Sequence, residues 1–485
     1  QRMVQLTYYQ YAQHRLPRFQ IETLQQRFER KVTPTEATVT RLKSSLIFHQ
    51  ATLDYAAYLE KQGMAFRDIM SGKQIIFSKA QIAQIYYSFN ENYHLRNRLD
   101  ATKERLLKRL MRKINRAAAS DEVQKQLQDA SAEQLSALYG DHPRNFQNAD
   151  QELKFLGKQL VIKSFRQVQR QIKRNHFINI TAQYYRFLKN LPKILELEKA
   201  GLTLTDWQAA VADYKARTKH GQLLLEDATP YLQLYDLITG KRGDTEIKQV
   251  FIDEIQDYTP YQLAFIQQNF PRARFTLLGD LNQAIFTKKA SYTLLNELNK
   301  LFPADQTKVV QLTKSYRSTK QITEFSRQLL LDGAAIQPFD RNGDLPTIYT
   351  ATSQTLLLKQ AVKQLQVNQQ ADLTTAIICR TLNQCQQLTQ QLQQAGQSVT
   401  LIKTENQRLA AGTIIVPAFL AKGLEFDAVI FWNANAQEYA KDDQRQLVYT
   451  ICSRAMHRLT IMAKGELSPL FARVDADTYR LTLLD

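Results

Sequence analysis

Residues 250–262 read VFIDEIQDYTPYQ, and the reading of the fold turns on them. Val250, Phe251 and Ile252 have the apolar, β-rich character of a buried strand end. Asp253, Glu254, Gln256 and Asp257 follow at once. Carboxylates this close repel one another. Two arrangements tolerate them: a solvated loop leading to a helix N-terminus, which favours acids, or a magnesium–nucleotide site, where a divalent cation compensates the charge. The stretch alone does not choose between them.

Working outward, short apolar strands alternate with helical segments from residue 200 on: KQVFIDE, RFTLLGD, KVVQLTKSYRS, TTAIICR, GTIIVPA, FDAVIFWN and LTIMAKG. That alternation predicts an α/β fold, a parallel sheet with helices on both faces, in two halves. A boundary is expected near residue 305, after NKLFPADQ, and DGAAIQPFDRNGDLP reads as a loop. Polar residues sit at the strand ends, where an open sheet places its ligands. Asp253 and Glu254 end one strand; Asp280 and Gln283 follow the next in LLGDLNQAIF; Arg317 lies in SYRST. Gly423 and Glu425 lie in AKGLEFDAV, and Arg454 in YTICSRAMHRLTI. Together these supply what nucleoside triphosphate hydrolysis needs: an acid for magnesium, a carboxylate for the attacking water, a glutamine near the terminal phosphate, and arginines for the transferring phosphoryl charge. A lone Arg or Asp is usually a surface pair; the ordered set is what points to chemistry.

The 485 residues exceed one ordinary core, so about two to four domains are expected. The net charge is +18, and residues 1–200 hold 34 Lys and Arg against 18 Asp and Glu, leaving +2 for the rest. A basic excess in one part of a chain points to a polyanion partner, DNA or RNA; the plainer alternative is a solvated basic helical surface. That part reads as helical. ATKERLLKRLMRKINRA (101–117) carries Leu106, Leu107, Leu110, Met111 and Ile114 at helical spacing, and 149–174 is similar. Aromatics in IYYSFNENYHL (85–95) and TAQYYRFLKNL (181–191) fit a core better than base stacking. MSGKQIIFSKAQIAQIYYSF reads as a short hairpin or turn, then a helix begun by Ser78. No apolar run is long enough to span a membrane, and no signal-peptide pattern is present. Three cysteines without metal spacing and scattered histidines give no zinc site and point to the cytoplasm.

The motifs resemble those of superfamily 1 helicases of the UvrD/Rep type: IDEIQD motif II, LLGDLNQAIF motif III, SYRST motif IV, AKGLEFD motif V and TICSRAM motif VI. More narrowly, PAFLAKGLEFDAVIFWNA, LVYTICSRAMHRL and KSSLIFHQATLDY resemble the HelD family of RNA-polymerase-associated translocases. The resemblance is motif by motif over about 225–465 and looser over 1–200. It implies RecA-like (P-loop NTPase) domains, with residues 1–24 and 201–304 in the first (1A), 25–200 inserted in it, and 305–485 forming the second (2A). It implies ATP and Mg2+ as cofactors, with Asp253 as metal ligand and Glu254 as catalytic carboxylate. Gln283 would sense the γ-phosphate, and Arg317 and Arg454 contact phosphates. Gly423 and Glu425 would lie at the nucleotide, Glu425 at its ribose, and Gln256 and Asp280 would couple hydrolysis to motion. The implied partner is bacterial RNA polymerase, the implied activity is nucleic-acid displacement, and the protein is expected to be a cytoplasmic monomer.

The chain also departs from this pattern. No GxxxxGK[ST] phosphate loop occurs, and the Gly-Lys pairs of MSGKQ and LITGKRGD lack its other residues. In the family that loop precedes everything seen here, with a coiled-coil arm, so the chain is expected to be a C-terminal part that is inactive alone. Motif III lacks the following Trp-Arg-Gly of unwinding enzymes, and the stretch from Arg317 to KGLEF has no room for a strand-separating insertion. A DNA-repair helicase and a non-catalytic polymerase-binding module remain the alternatives.

Overall fold

The computed structural model describes residues 7–90, 93–139, 146–240, 243–283, 291–404, 407 and 412–485. The chain forms two compact units, Gln1–Ile21 with Thr33–Asp244, and Glu22–Val32 with Thr245–Asp485. The sequence boundaries at 200 and 305 differ from this division at Asp244.

The first unit is helical around small strand pairs. Its strands are β1 (Gln20–Ile21), β2 (Ile69–Ser71), β3 (Gln74–Phe77) and β4 (Gln222–Leu223), with β1 parallel to β4 and β2 antiparallel to β3. Of the two readings, hairpin or turn, β2 and β3 form the hairpin, and as expected Ser78 caps the next helix, in a reciprocal box with Gln81. The long helices α1 (Leu95–Ala118) and α2 (Ala149–Lys173) pack along each other; a Cβ on Gly157 would meet the Ala118 carbonyl at 3.0 Å. Leu99, Leu106, Leu110 and Ile114 make the buried stripe of α1, while Lys108, Arg109, Arg112 and Lys113 are exposed. Met111, read as part of that stripe, lies outside it and is exposed. Three further helices, α3 (Ile180–Asn190), α4 (Leu204–Lys219) and α5 (Leu225–Thr239), close a core containing Phe48, Tyr184, Phe187 and Trp207. Tyr86, Tyr184 and Phe187 are fully buried, so these aromatics serve packing. A buried Lys43–Asp227 pair at 2.7 Å, which Tyr184 joins by donating to Asp227 at 2.9 Å, ties α5 into that core.

The second unit opens with β5 (Gln249–Ile252), α6 (Pro260–Asn269) and β6 (Arg274–Leu277); Val250 pairs with Phe275 and Ile252 with Leu277 in parallel register. The opening stretch thus carries its own helix start: Thr259 and Gln262 form a capping box, and Pro260 takes a first-turn position that needs no N–H. The expected strand KVVQL does not form. Only β7 (Lys314–Ser315) pairs, with β8 (Gln337–Pro338), while Val309, Val310 and Leu312 are exposed and have no strand partner among the described residues.

The main sheet holds β9 (Thr347–Ala351), β10 (Thr375–Cys379), β11 (Val399–Leu401), β12 (Thr413–Pro417), β13 (Phe426–Phe431), β14 (Ala455–Lys464) and β15 (Arg480–Leu484). Their order is β11-β12-β10-β13-β14-β9-β15, and every adjacent pair is parallel. Successive residues of a strand point to opposite faces. Ala376 and Ile378 therefore enter one core with Ile322 and Phe325 of α7 (Lys320–Arg327). Ile377 and Cys379 enter the other, with Leu357 of α8 (Gln354–Gln370) and Leu388 of α9 (Leu382–Gln394). Val448 and Ile451 of α10 (Arg445–Cys452) return to the first face. Two-faced burial explains why the inner strands β10 and β12 read as apolar runs. Among the described residues no helix is long and apolar enough to cross a membrane, and all three cysteines are buried and free.

Candidate functional site

The site lies within the second unit and is built from two kinds of strand end. Asp253 and Glu254 leave the carboxyl end of β5, and Asp280 and Gln283 follow that of β6. Glu425 and Arg454, in contrast, precede their strands: Phe426 opens β13 and Ala455 opens β14. This corrects the expectation that each strand delivers its polar residue at its carboxyl end. Arg454 is presented just beyond α10, and the Phe426 amide donates to its carbonyl at 3.0 Å, which locks the two amino ends together.

Glu254 adopts a left-handed backbone, φ 52°, a conformation a non-glycine residue holds only against a steric cost. Its Oε2 accepts from Gln256 Nε2 at 2.6 Å. Gln256, almost fully buried, accepts in turn from the Asp280 amide at 3.1 Å. Asp280 Oδ2 accepts from Gln283 Nε2 at 2.8 Å, and Gln283 Oε1 accepts from Arg454. One continuous chain of hydrogen bonds thus runs Glu254–Gln256–Asp280–Gln283–Arg454. Gly279 makes it possible: a Cβ there would stand 2.2 Å from Gln256 Oε1 and 2.8 Å from Ile255 Cγ2. Ala284, Ile285 and Phe286, which complete the third motif, lie outside the described residues.

Arg454 is 1% exposed and makes no ion pair among the described residues. It donates to the Thr450 carbonyl at 3.0 Å and the Leu424 carbonyl at 3.1 Å. Burial, then the nearby Arg317 charge, lower its pKa to about 10, with Glu254, Tyr449 and Asp280 pulling the other way. It stays charged at neutral pH. Arg317 and Glu425, expected in separate roles, pair with each other at 2.9 Å. Both are solvent-open, so the pair is worth only about 0–1 kcal/mol and an incoming anion displaces it cheaply.

Lys422 was not singled out from the sequence, although it stands in the fifth motif. Its side chain is 6% exposed, with Nζ 2.6 Å from Asp257 and 3.6 Å from Glu254. It is therefore the cation that makes the opening acid cluster tolerable; magnesium and arginines alone were expected there. Gly423 beside it has φ +77°, and a Cβ would approach Glu254 Oε1 only to 3.7 Å, so the backbone conformation rather than crowding calls for glycine. Burial raises the Asp257 pKa, Lys422 opposing the shift. Asp253 is exposed and has no ion pair among the described residues; its Oδ1 accepts from the Glu254 amide at 2.9 Å. No group of three metal-ligating residues exists among the described residues. The donor set therefore fits magnesium held by one carboxylate, with phosphate and water completing the shell, as that ion favours, and does not fit an all-protein cage.

Residues 415–462, running from β12 through β14 and containing Lys422, Gly423, Glu425 and Arg454, match the UvrD-like helicase C-terminal domain. The chain is 53% identical to the C-terminal domain of a possible DNA helicase from Lactobacillus plantarum WCFS1, over 34% of this chain and 98% of that one, at a TM-score of 0.32. The chain carries a UvrD-like helicase C-terminal domain. A likeness to S. cerevisiae Dbp5 bound to RNA and ADP BeF3, 12% identical over 54% of this chain and 66% of that one at a TM-score of 0.34, adds nothing to the fold read from the sheet. No curated protein matches the chain. The UvrD-like match covers the fifth and sixth motifs, while Asp253, Glu254, Gln256, Asp280, Gln283 and Arg317 lie outside the matched stretch.

Proposed function

We propose that this chain is the C-terminal part of an ATP-dependent superfamily 1 motor that binds bacterial RNA polymerase in the cytoplasm and displaces nucleic acid from it. Its domains are RecA-like, 1–24 with 201–304 and 305–485, and 25–200 is a basic insertion. The observation that carries the reading is the hydrogen-bond chain from Glu254 to Arg454, because it couples the group facing the attacking water to an arginine that answers phosphate charge. In this reading Asp253 would hold magnesium, which when bound would supply positive charge against that of the transferring phosphoryl group. Glu254 orients the attacking water and takes its proton through Oε1, the oxygen left over from the Gln256 bond. Arg317 leaves Glu425 to meet phosphate, and Arg454 offsets the developing charge. Gln256 and Asp280 transmit the change between motifs, and Gly423 and Glu425 line the nucleotide. As it stands, without a phosphate loop, the chain does not turn over ATP.

The L. plantarum relative is described as a possible DNA helicase, so DNA unwinding is the competing reading. Immobilised chain challenged with core bacterial RNA polymerase and with forked DNA separates them. Retention of polymerase, with weak capture of DNA, is expected. Tight capture of the fork by a chain that ignores polymerase would overturn the proposal.

A further inference from the structure

The first unit holds an open cleft of about 500 Å³ that no part of the motor reading uses. That volume suits a small ligand. Arg18, Arg67, Lys215 and Lys219 line it, and no carboxylate does. None of these four cations has an ion pair among the described residues, whereas Arg217, on the same helix α4, pairs with Asp213 at 2.6 Å.

The arginines are held in place by neutral groups. The Arg18 guanidinium lies 4.6 Å from the Phe19 ring centre and donates to the hydroxyls of Thr181 and Tyr231. Arg67 donates to Asn179 Oδ1 at 2.8 Å. Asn179 is the N-cap of α3, its side chain accepting from the Ala182 amide at 3.1 Å, so the positive end of that helix also faces the cleft. Tyr214, 2% exposed, lines the cleft too, and its hydroxyl is buried with no hydrogen-bond partner among the described residues. Burial, and after it the charge of Arg67, push the Arg18 pKa down. Cations fixed side by side without a counter-ion repel; a multiply charged anion with several acceptor oxygens relieves them, and the planar arginine fork matches phosphate.

We propose that this cleft is a phosphoryl-binding site that takes two neighbouring phosphates, supplied either by a free diphosphate or by the backbone of a nucleic-acid strand. It stands independently of the motor reading, since none of its residues belongs to the Glu254–Arg454 site.

The test uses the full chain, with inorganic pyrophosphate followed by calorimetry and a short fluorescein-labelled oligothymidylate followed by anisotropy. The double variant Arg67→Gln/Lys215→Gln is compared with Lys154→Gln/Lys199→Gln, which removes the same charge from exposed pairs elsewhere in the unit. Two charge-assisted contacts are lost in the first, so pyrophosphate affinity is expected to fall roughly tenfold or more, with the second near the parent. If oligothymidylate binding falls in parallel, strand phosphates are the source; if it is unmoved, the site serves a free diphosphate. Pyrophosphate that fails to bind at millimolar concentration, or equal losses in the two double variants, overturns the proposal. Neither readout involves ATP turnover or polymerase, so its failure would leave the motor reading untouched.

Discussion

Lys422 and Asp257 set the electrostatics of the candidate site at the scale of single residues. Burial holds the Asp257 carboxyl above its ordinary value, Lys422 lowers it, and Glu254 adds to the rise. A carboxyl whose folded pKa lies above its unfolded one favours folding while protonated, and that contribution is lost as pH rises through the folded value. Lys422→Met removes the opposing cation, so the Asp257 value climbs further and the ionised form is left buried. The variant is expected to lose on the order of 3 kcal/mol near pH 8, and less at an acidic pH, where protonation removes the buried charge. Urea unfolding at the two pH values measures this; an equal loss at both would show that Asp257 is not the group responsible. Arg454 is the contrasting case. Its burden is burial, and it is held by carbonyls and Gln283 rather than by an acid. Replacing it would disturb the fold as well as the chemistry, which makes the exposed Arg317 the cleaner probe of phosphate contact.

Among the elements, the junction of β5 and β6 decides whether the second and third motifs can meet. The turn at Gly279 must pass within contact of Ile255 and Gln256, and only a residue without Cβ fits there. Gly279→Ala is expected to cost about 1–3 kcal/mol through overpacking and to break the Gln256–Asp280 link. Gly396→Ala is the comparison: nothing lies within 4 Å of its Cβ, but φ is +76°, so its cost is conformational, about 1 kcal/mol. Urea midpoints rank the two. A Gly279→Ala chain no less stable than Gly396→Ala would mean the turn can yield.

For the molecule as a whole, Glu254, Gln256, Asp280, Gln283 and Arg454 are brought together, and no phosphate loop occurs in the 485 residues. Such a loop supplies most contacts to the β- and γ-phosphates. The chain is therefore expected to show no steady-state ATP turnover with magnesium. A rate within the roughly 1–100 s⁻¹ usual for phosphoryl-transfer enzymes would contradict both the expectation and the half-site reading behind it. The charge asymmetry belongs to the same scale: most of the +18 lies within residues 1–200, and the unpaired cations lining the cleft are in the unit those residues largely build.

By itself the sequence determined the parallel α/β character of the second unit, because strands buried on both faces must be apolar along their buried length, as AIIC of TAIIC and AVIF of FDAVIF are. It also determined the helix start at Ser78, where a cap is a local hydrogen bond within one turn, and it marked the acids and arginines of the candidate site by their order along the strand ends. Tertiary structure alone decided the rest. That Lys422 neutralises Asp257, that Arg317 turns to Glu425, and that Arg454 reaches Gln283 all depend on contacts between residues more than a hundred positions apart. KVVQL has the composition of a strand, but a strand exists only where a neighbour accepts its hydrogen bonds, and composition does not carry that information. The cleft was invisible for the same reason: Arg18, Arg67 and Lys215 are ordinary basic residues until the fold sets them side by side with no acid between them.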